Sequence, residues 1–190
     1  MQWESVMHAE VAQNHQGKTY FNDVVGSLHY DYKIGVAAVL QEVYTENVLT
    51  ATFTYIMNQN ATYIVDTGKL NCIKMPKTSI APVCTDIPGL AYRGSWILGN
   101  QMTDTYSIKT LGVSLTYITM FRDPFIPGIQ NTQQSVEGVD QMSTLQVANV
   151  TEGIKDAGVF EVPGYCDSNM PVTESSMHSQ FLRGLLIGMK

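Results

Sequence analysis

Charge is scarce in this 190-residue chain: Asp, Glu, Lys and Arg make up 15% of it, against about 25% in an average globular domain. The eleven Lys and Arg residues are scattered and the formal net charge is −6. That excludes the clustered basic surface a nucleic-acid partner needs. No run of eighteen apolar residues occurs, so no helical membrane span is expected. The opening residues, MQWESVMHAEVAQNHQ, have neither the basic nor the apolar region of a signal peptide, and a leader removed ahead of residue 1 is the expectation. A chain of this length reads as one domain that buries about two-thirds of its unfolded surface.

Motifs that carry chemistry are also lacking. Leu111-Gly112-Val113-Ser114-Leu115-Thr116 approaches a nucleophile elbow, but Thr116 stands where the second Gly belongs. There is no Gly-rich phosphate loop. The four histidines, His8, His15, His29 and His178, show no metal-ligand spacing. Asp167-Ser168-Asn169 starts like a calcium loop without its sixth-position Gly or terminal Glu. No acid, base or nucleophile set emerges, so a non-enzymatic protein with no metal and no cofactor is expected. The three cysteines, Cys72, Cys84 and Cys166, are an odd number, and three buried reduced thiols of a cytosolic protein are one reading. Two glycosylation sequons, Asn60-Ala61-Thr62 and Asn149-Val150-Thr151, tilt the chain toward the secretory route.

What is present is a period of two. In Thr50-Ala51-Thr52-Phe53-Thr54-Tyr55 threonines alternate with apolar residues, as a half-buried strand requires. Asn58-Gln59-Asn60 turns the chain into Thr62-Tyr63-Ile64-Val65, and Asp66-Thr67-Gly68-Lys69 turns it again into Leu70-Asn71-Cys72-Ile73. This predicts a meander of hairpins. Residues 19–30 and 33–44 predict two earlier strands joined near Tyr32-Lys33; 95–98, one long run over 104–121, and 137–150 predict later ones. Pro76, Pro82 and Pro88 predict a loop over 76–90, and Asp123-Pro124 with Pro127-Gly128 another before residue 130. In the tail, Met177, Phe181, Leu182, Leu185, Leu186 and Met189 recur at helical spacing, which predicts a short amphipathic helix over 174–190 beside a β domain over 1–173. Ten tyrosines and ten methionines suit an irregular apolar pocket, or ordinary core filling.

Several segments together resemble the ependymin-related proteins. They are Gln2-Trp3-Glu4, Leu28-His29-Tyr30-Asp31, Phe53-Thr54-Tyr55-Ile56, Tyr63-Ile64-Val65-Asp66, Leu70-Asn71-Cys72-Ile73-Lys74-Met75, Ile87-Pro88 and Gly99, followed by the stretch GIKDAGVFEVPGYC at 153–166. The last is the best match, through Gly153-Ile154-Lys155-Asp156, Val159-Phe160, Pro163 and Cys166. The resemblance runs in the family's order from residue 2 to about residue 167. It implies a mainly β fold: a strongly curved antiparallel sheet, a half-barrel like that of bacterial lipoprotein carriers, with a concave apolar pocket and a short C-terminal helix. It further implies a secreted or lysosomal glycoprotein of a kind associated with lipid binding, calcium and cell adhesion. It pairs Cys72 with Cys166 and leaves Cys84 unpaired or joined to a second chain. The chain departs from the family where Met1 replaces a cysteine before Gln2, and where Asp123-Pro124 stands near that cysteine's expected partner. The tail beyond 174 lacks the family's final cysteine.

Two readings follow. In the first, a lipid or other hydrophobic ligand sits in the concave pocket, lined by Phe53, Tyr55, Tyr63, Trp96, Tyr117 and Phe121. Phe53 and Tyr55 share a strand face, as do Tyr117 and Phe121, but a one-residue register error would turn them all outward. In the second, the chain is an extracellular structural or adhesion subunit that forms homo-oligomers through its sheet and tail helix. Both expect glycans on Asn60 and Asn149.

Overall fold

The computed structural model describes residues 2–77, 89–110, 114–122, 125–136, 139–166 and 171–172. They form one open, curved sheet of eleven antiparallel strands. The strands are β1 (Gln2–His15), β2 (Lys18–Asp31), β3 (Val36–Thr45), β4 (Val48–Met57), β5 (Thr62–Asp66), β6 (Asn71–Met75), β7 (Ala91–Leu98), β8 (Gln101–Thr110), β9 (Ser114–Arg122), β10 (Phe125–Val136) and β11 (Val139–Glu152). Their spatial order is 6-5-4-3-2-1-11-10-9-8-7. Two hairpin meanders are therefore fused where β1 pairs with β11, and β6 and β7, neighbours in sequence, lie at opposite edges. Among the described residues the helical content is a single 3-10 turn, Ala157–Phe160. The tail 174–190, and Cys84, lie outside the described residues.

The predicted turns work by local chemistry. Asn58 Oδ1 accepts from the backbone N–H groups of Asn60 and Ala61 at 2.9 and 3.0 Å, and Asp66 Oδ1 accepts from that of Lys69 at 2.9 Å; a short polar side chain replaces a backbone partner in each. Two expectations need correction, and one strand was not expected at all. Residues 2–15 form a 14-residue strand that the turn signals alone did not mark. The run 104–121 is two strands, β8 and β9. The loop expected before residue 130 is strand β10, in which Pro127-Gly128 makes a bulge: the register shifts between Pro127 and Ile129. A bulge is where a sheet tolerates Pro and Gly. Gly128 is needed there because a Cβ would come within 2.5 Å of the Phe121 ring.

Alternation divides the sheet into two faces. Along β1, Trp3, Ser5, Met7, Ala9 and Val11 are buried. The register continues their face as rows across the strands: Trp3, Tyr30, Ala37, Met57, Thr62 and Met75 form one row, and Ser5, Leu28, Val39, Tyr55, Ile64 and Ile73 the next. Apolar side chains of β11 and β1 to β6 meet here in a single cluster. We infer from the convergence of side chains of seven strands that this is the concave face. Each large apolar side chain buried in it contributes about 1.5–3 kcal/mol.

The chain after β11 forms a strap across the opposite, convex face. Gly153, at φ 86°, donates its N–H to the Gln2 carbonyl at 3.0 Å. Lys155 meets Glu4 twice, Nζ to Oε1 at 2.9 Å and backbone N–H to Oε2 at 3.3 Å. The 3-10 turn then packs on β3 and β4. Val162 and Cys166 close on a second cluster of Ile56, Ala61, Tyr63, Val65 and Cys72. A disulfide joins Cys72 to Cys166 with their Cα atoms 5.6 Å apart, which anchors the strap to the edge strand β6.

Candidate functional site

The concave face has two chemically different halves. The half on β11 and β1 to β6 is apolar and rich in methionine and aromatic side chains: Met7, Met57, Met75, Trp3, Tyr30 and Tyr55 are all 7% exposed or less. The rings of Trp3 and Tyr30 lie 5.5 Å apart between centroids, and those of Phe53 and Tyr55 6.4 Å apart. Burial pushes the Tyr55 hydroxyl up to about 12, since the phenolate would lose its hydration there. Among the described residues no helix or second sheet lies on this face, whereas most sheets bury their apolar side against another layer.

The half on β8 to β10 mixes buried Ile118 and Met120 with polar side chains. Gln130, Thr116 and Thr132 are buried, with the two threonine hydroxyls 3.2 Å apart and the Gln130 amide donating to Thr132 at 3.3 Å. Arg122 holds Asp104 in a forked ion pair, Nε to Oδ2 at 2.9 Å and Nη2 to Oδ1 at 2.7 Å, and also donates to Ser95 at 2.9 Å. The hydrogen bonds from Arg122 and then Ser95 hold the Asp104 carboxyl below its ordinary value.

Three polar atoms within the apolar half have no hydrogen-bond partner: Trp3 Nε1, Ser5 Oγ and Gln41 Nε2. Their residues are 3%, 4% and 2% exposed. An orphaned buried donor costs about 1–3 kcal/mol, and in native folds such atoms are nearly always met by protein or ordered water.

The six pocket candidates are not brought together. Tyr55 is in the concave core and Phe53 packs beside it. Phe121, partly buried, also packs against that cluster. Tyr63 belongs to the convex cluster under the strap, because Tyr55 pairs with Ile64 and so puts Tyr63 on the other face. Trp96 and Tyr117 are 54% and 44% exposed. Asn60 and Asn149 are both exposed. The orphan donors, the Arg122–Asp104 pair and most of the Met and Trp lining escaped sequence reasoning. For the lining a signal existed, the alternation of Trp3, Ser5, Met7, Ala9 and Val11.

The sheet also carries two shallow grooves. One of about 550 Å³ is bordered by Ala12, Thr19, Lys109, Leu115, Asp140 and Met142, and one of about 280 Å³ by Glu10, Phe21, Asp23 and Met142 among others. Beside the second, ligand atoms of His8, Glu10 and Asp23 lie within 4.8 Å of one another. They are the described residues best placed to hold an ion, though exposed trios of this kind are common without one.

No family model and no curated protein matches this chain. Solved structures do. An uncharacterized conserved protein from Thermus thermophilus is similar over 86% of this chain and 86% of its own, with a TM-score of 0.57 at 11% identity. Likeness at that level shows a shared fold and nothing about activity. A β-barrel-like protein of a domain family of unknown function from Brucella abortus covers 78% of this chain and 96% of its own, at TM-score 0.40 and 7% identity. A LolA superfamily protein from Nitrosomonas europaea covers 85% and 90%, at TM-score 0.34 and 9% identity. No function is argued from these two. The class defined by the fold is an open, curved, single-sheet β protein.

Proposed function

We propose that this chain is a secreted, non-enzymatic carrier that holds a lipid or other hydrophobic ligand against the concave face of its sheet. The observation that carries the reading is the apolar half of that face, a seven-strand surface with no second layer among the described residues. A hydrophobic guest held against that face would gain roughly 0.8 kcal/mol per buried methylene. Phe53, Tyr55 and Phe121 keep a role as lining residues, and Met7, Met57 and Met75 supply side chains that repack easily. The order of ependymin-like segments supports the same reading, and so do the exposed sequons at Asn60 and Asn149, where we expect glycans in the secretory route. A titration of the full chain with cis-parinaric acid and its methyl ester tests it. The wild type should show saturable uptake, and Phe53→Arg should lose it; no saturable binding of either probe overturns the carrier reading.

A second reading, a structural subunit, is favoured by one feature. Edge strand β7 exposes Trp96, Ile97 and Leu98 at 54%, 71% and 41%, and long apolar edges invite another strand. Native mass spectrometry separates the readings: bound lipid on a monomer supports the carrier, a ligand-free homo-oligomer the subunit.

A further inference from the structure

We propose that His8, Glu10 and Asp23 form a binding site for one zinc ion on the strand pair β1–β2, independent of what the concave face holds. The register builds it. Glu10 and Asp23 stand directly opposite each other, and His8, two residues before Glu10 on β1, lies on the same face. Ligand atoms of the three lie within 4.8 Å of one another, and His8 Nε2 is 3.9 Å from Asp23 Oδ1. Ligands of a tetrahedral zinc, bonded at about 2.0–2.2 Å, stand roughly 3.3–3.6 Å apart. Rotation of the His8 and Asp23 side chains, 42% and 51% exposed, closes that difference. The histidines show no ligand spacing along the chain because the third ligand comes from the neighbouring strand.

Charge argues for an occupant. Two carboxylates directly opposite each other destabilise a strand pair, and a cation between them reverses the sign. The row through Glu10 and Asp23 continues to Thr144 and Tyr44, and the row through His8 runs to Gln146, Val25 and Glu42. These two rows hold three carboxylates and no Lys or Arg. Glu42 is met by the Tyr44 hydroxyl at 2.7 Å, which adds no charge. The imidazole then selects the ion: calcium and magnesium take oxygen ligands, whereas zinc takes nitrogen and carboxylate together. A groove of about 280 Å³ bordered by Glu10, Asp23 and Thr144 leaves room beside the trio for a water on the remaining coordination position.

The test is calorimetric titration of the full chain, stripped of metal by a chelator and dialysed, with zinc chloride. One equivalent should bind and raise the unfolding midpoint, because the ion favours the folded state. His8→Gln and Asp23→Asn should each weaken binding at least about tenfold, and His15→Gln should leave it unchanged. Glu10→Gln should match or exceed wild-type stability without zinc and gain little from it, since it removes the repulsion along with a ligand. Calcium at the same concentration should not displace zinc. On zinc addition the imidazole NMR signals of His8 should move and those of His29 should stay. The inference is overturned by an absence of saturable zinc binding, by binding that survives His8→Gln or Asp23→Asn, by displacement with calcium, or by shifts at His29 and not at His8. Each of those results leaves the carrier reading untouched. Should a variant fail to fold, the wild-type NMR shifts still decide.

Discussion

Arg122 and Asp104 face each other across neighbouring strands in a two-pronged ion pair, 2.9 Å from Nε to Oδ2 and 2.7 Å from Nη2 to Oδ1. The carboxyl is thereby held below its ordinary value of 3.8. A carboxyl with a lowered folded-state value stabilises the fold above its unfolded value, and that contribution is lost as pH falls through the folded one. Urea unfolding should therefore show stability dropping as pH falls below about 4. Asp104→Asn should flatten that acid limb without abolishing it, since Glu4 and Asp66 are also lowered. An unchanged acid limb in Asp104→Asn would remove the pair from this account.

The disulfide between Cys72 and Cys166 closes a loop across 94 residues. Removing it with Cys166→Ser, or with reductant, should cost about 4–5 kcal/mol in chemical denaturation through the freed entropy of the unfolded chain. The same change should unpin the strap, so that the amides of 154–162 exchange faster than those of β1. Equal protection of strap and strand in the reduced protein would show that Lys155 and Glu4 hold the strap without the disulfide.

Gly26 lies where β2 passes β3, and a Cβ there would come within 1.8 Å of the Leu40 carbonyl oxygen. That neighbour is backbone, which cannot swing away. Gly26→Ala should destabilise by more than about 3 kcal/mol, at or beyond the upper end of overpacking costs. Gly164→Ala, where a Cβ meets nothing within 4 Å, should stay within about 0.5 kcal/mol of wild type. Matched midpoints for the two variants would contradict the close β2–β3 approach.

Tyr55 should mark the alkaline limit of the fold. Its hydroxyl is raised from 10.0 to about 12 by burial, so the unfolded chain releases that proton first. The stability this gives is whole below pH 10 and is lost as pH rises from 10 through 12, about 2–3 kcal/mol in all. In a spectrophotometric titration of the folded protein Tyr55 should stay un-ionised at pH 11, and Tyr55→Phe should lower the number of un-ionised tyrosines by one. Ionisation of Tyr55 near its ordinary value would mean the concave core is open to water.

The hairpins were legible because their causes are local. Alternating Thr and apolar residues over 50–55, and the side-chain turns at Asn58 and Asp66, act over a few residues, and the sequence displays them. Strand β1 was legible in principle, since its buried positions alternate without a break from Trp3 to Val11. Strand β10 was hidden by Pro127-Gly128 and by side chains such as Gln130 and Thr132, which read as loop but are buried on a mixed half-face. The pairing of Cys72 with Cys166 entered through the family resemblance, since three cysteines do not state a connectivity.

The sequence by itself determined that this is a chain of antiparallel hairpins, poor in charge, with no visible catalytic set. Only the tertiary structure decided which face is inside. The turn at 58–61 pairs Tyr55 with Ile64, which sends Tyr63 to the convex side, and a pattern of period two cannot reveal such a register. The same holds for the partners that meet across strands: Arg122 with Asp104, Glu4 with Lys155, and the three donors left facing the concave core. Each pairing depends on curvature and register summed over several strands, and no window of neighbouring residues contains that sum.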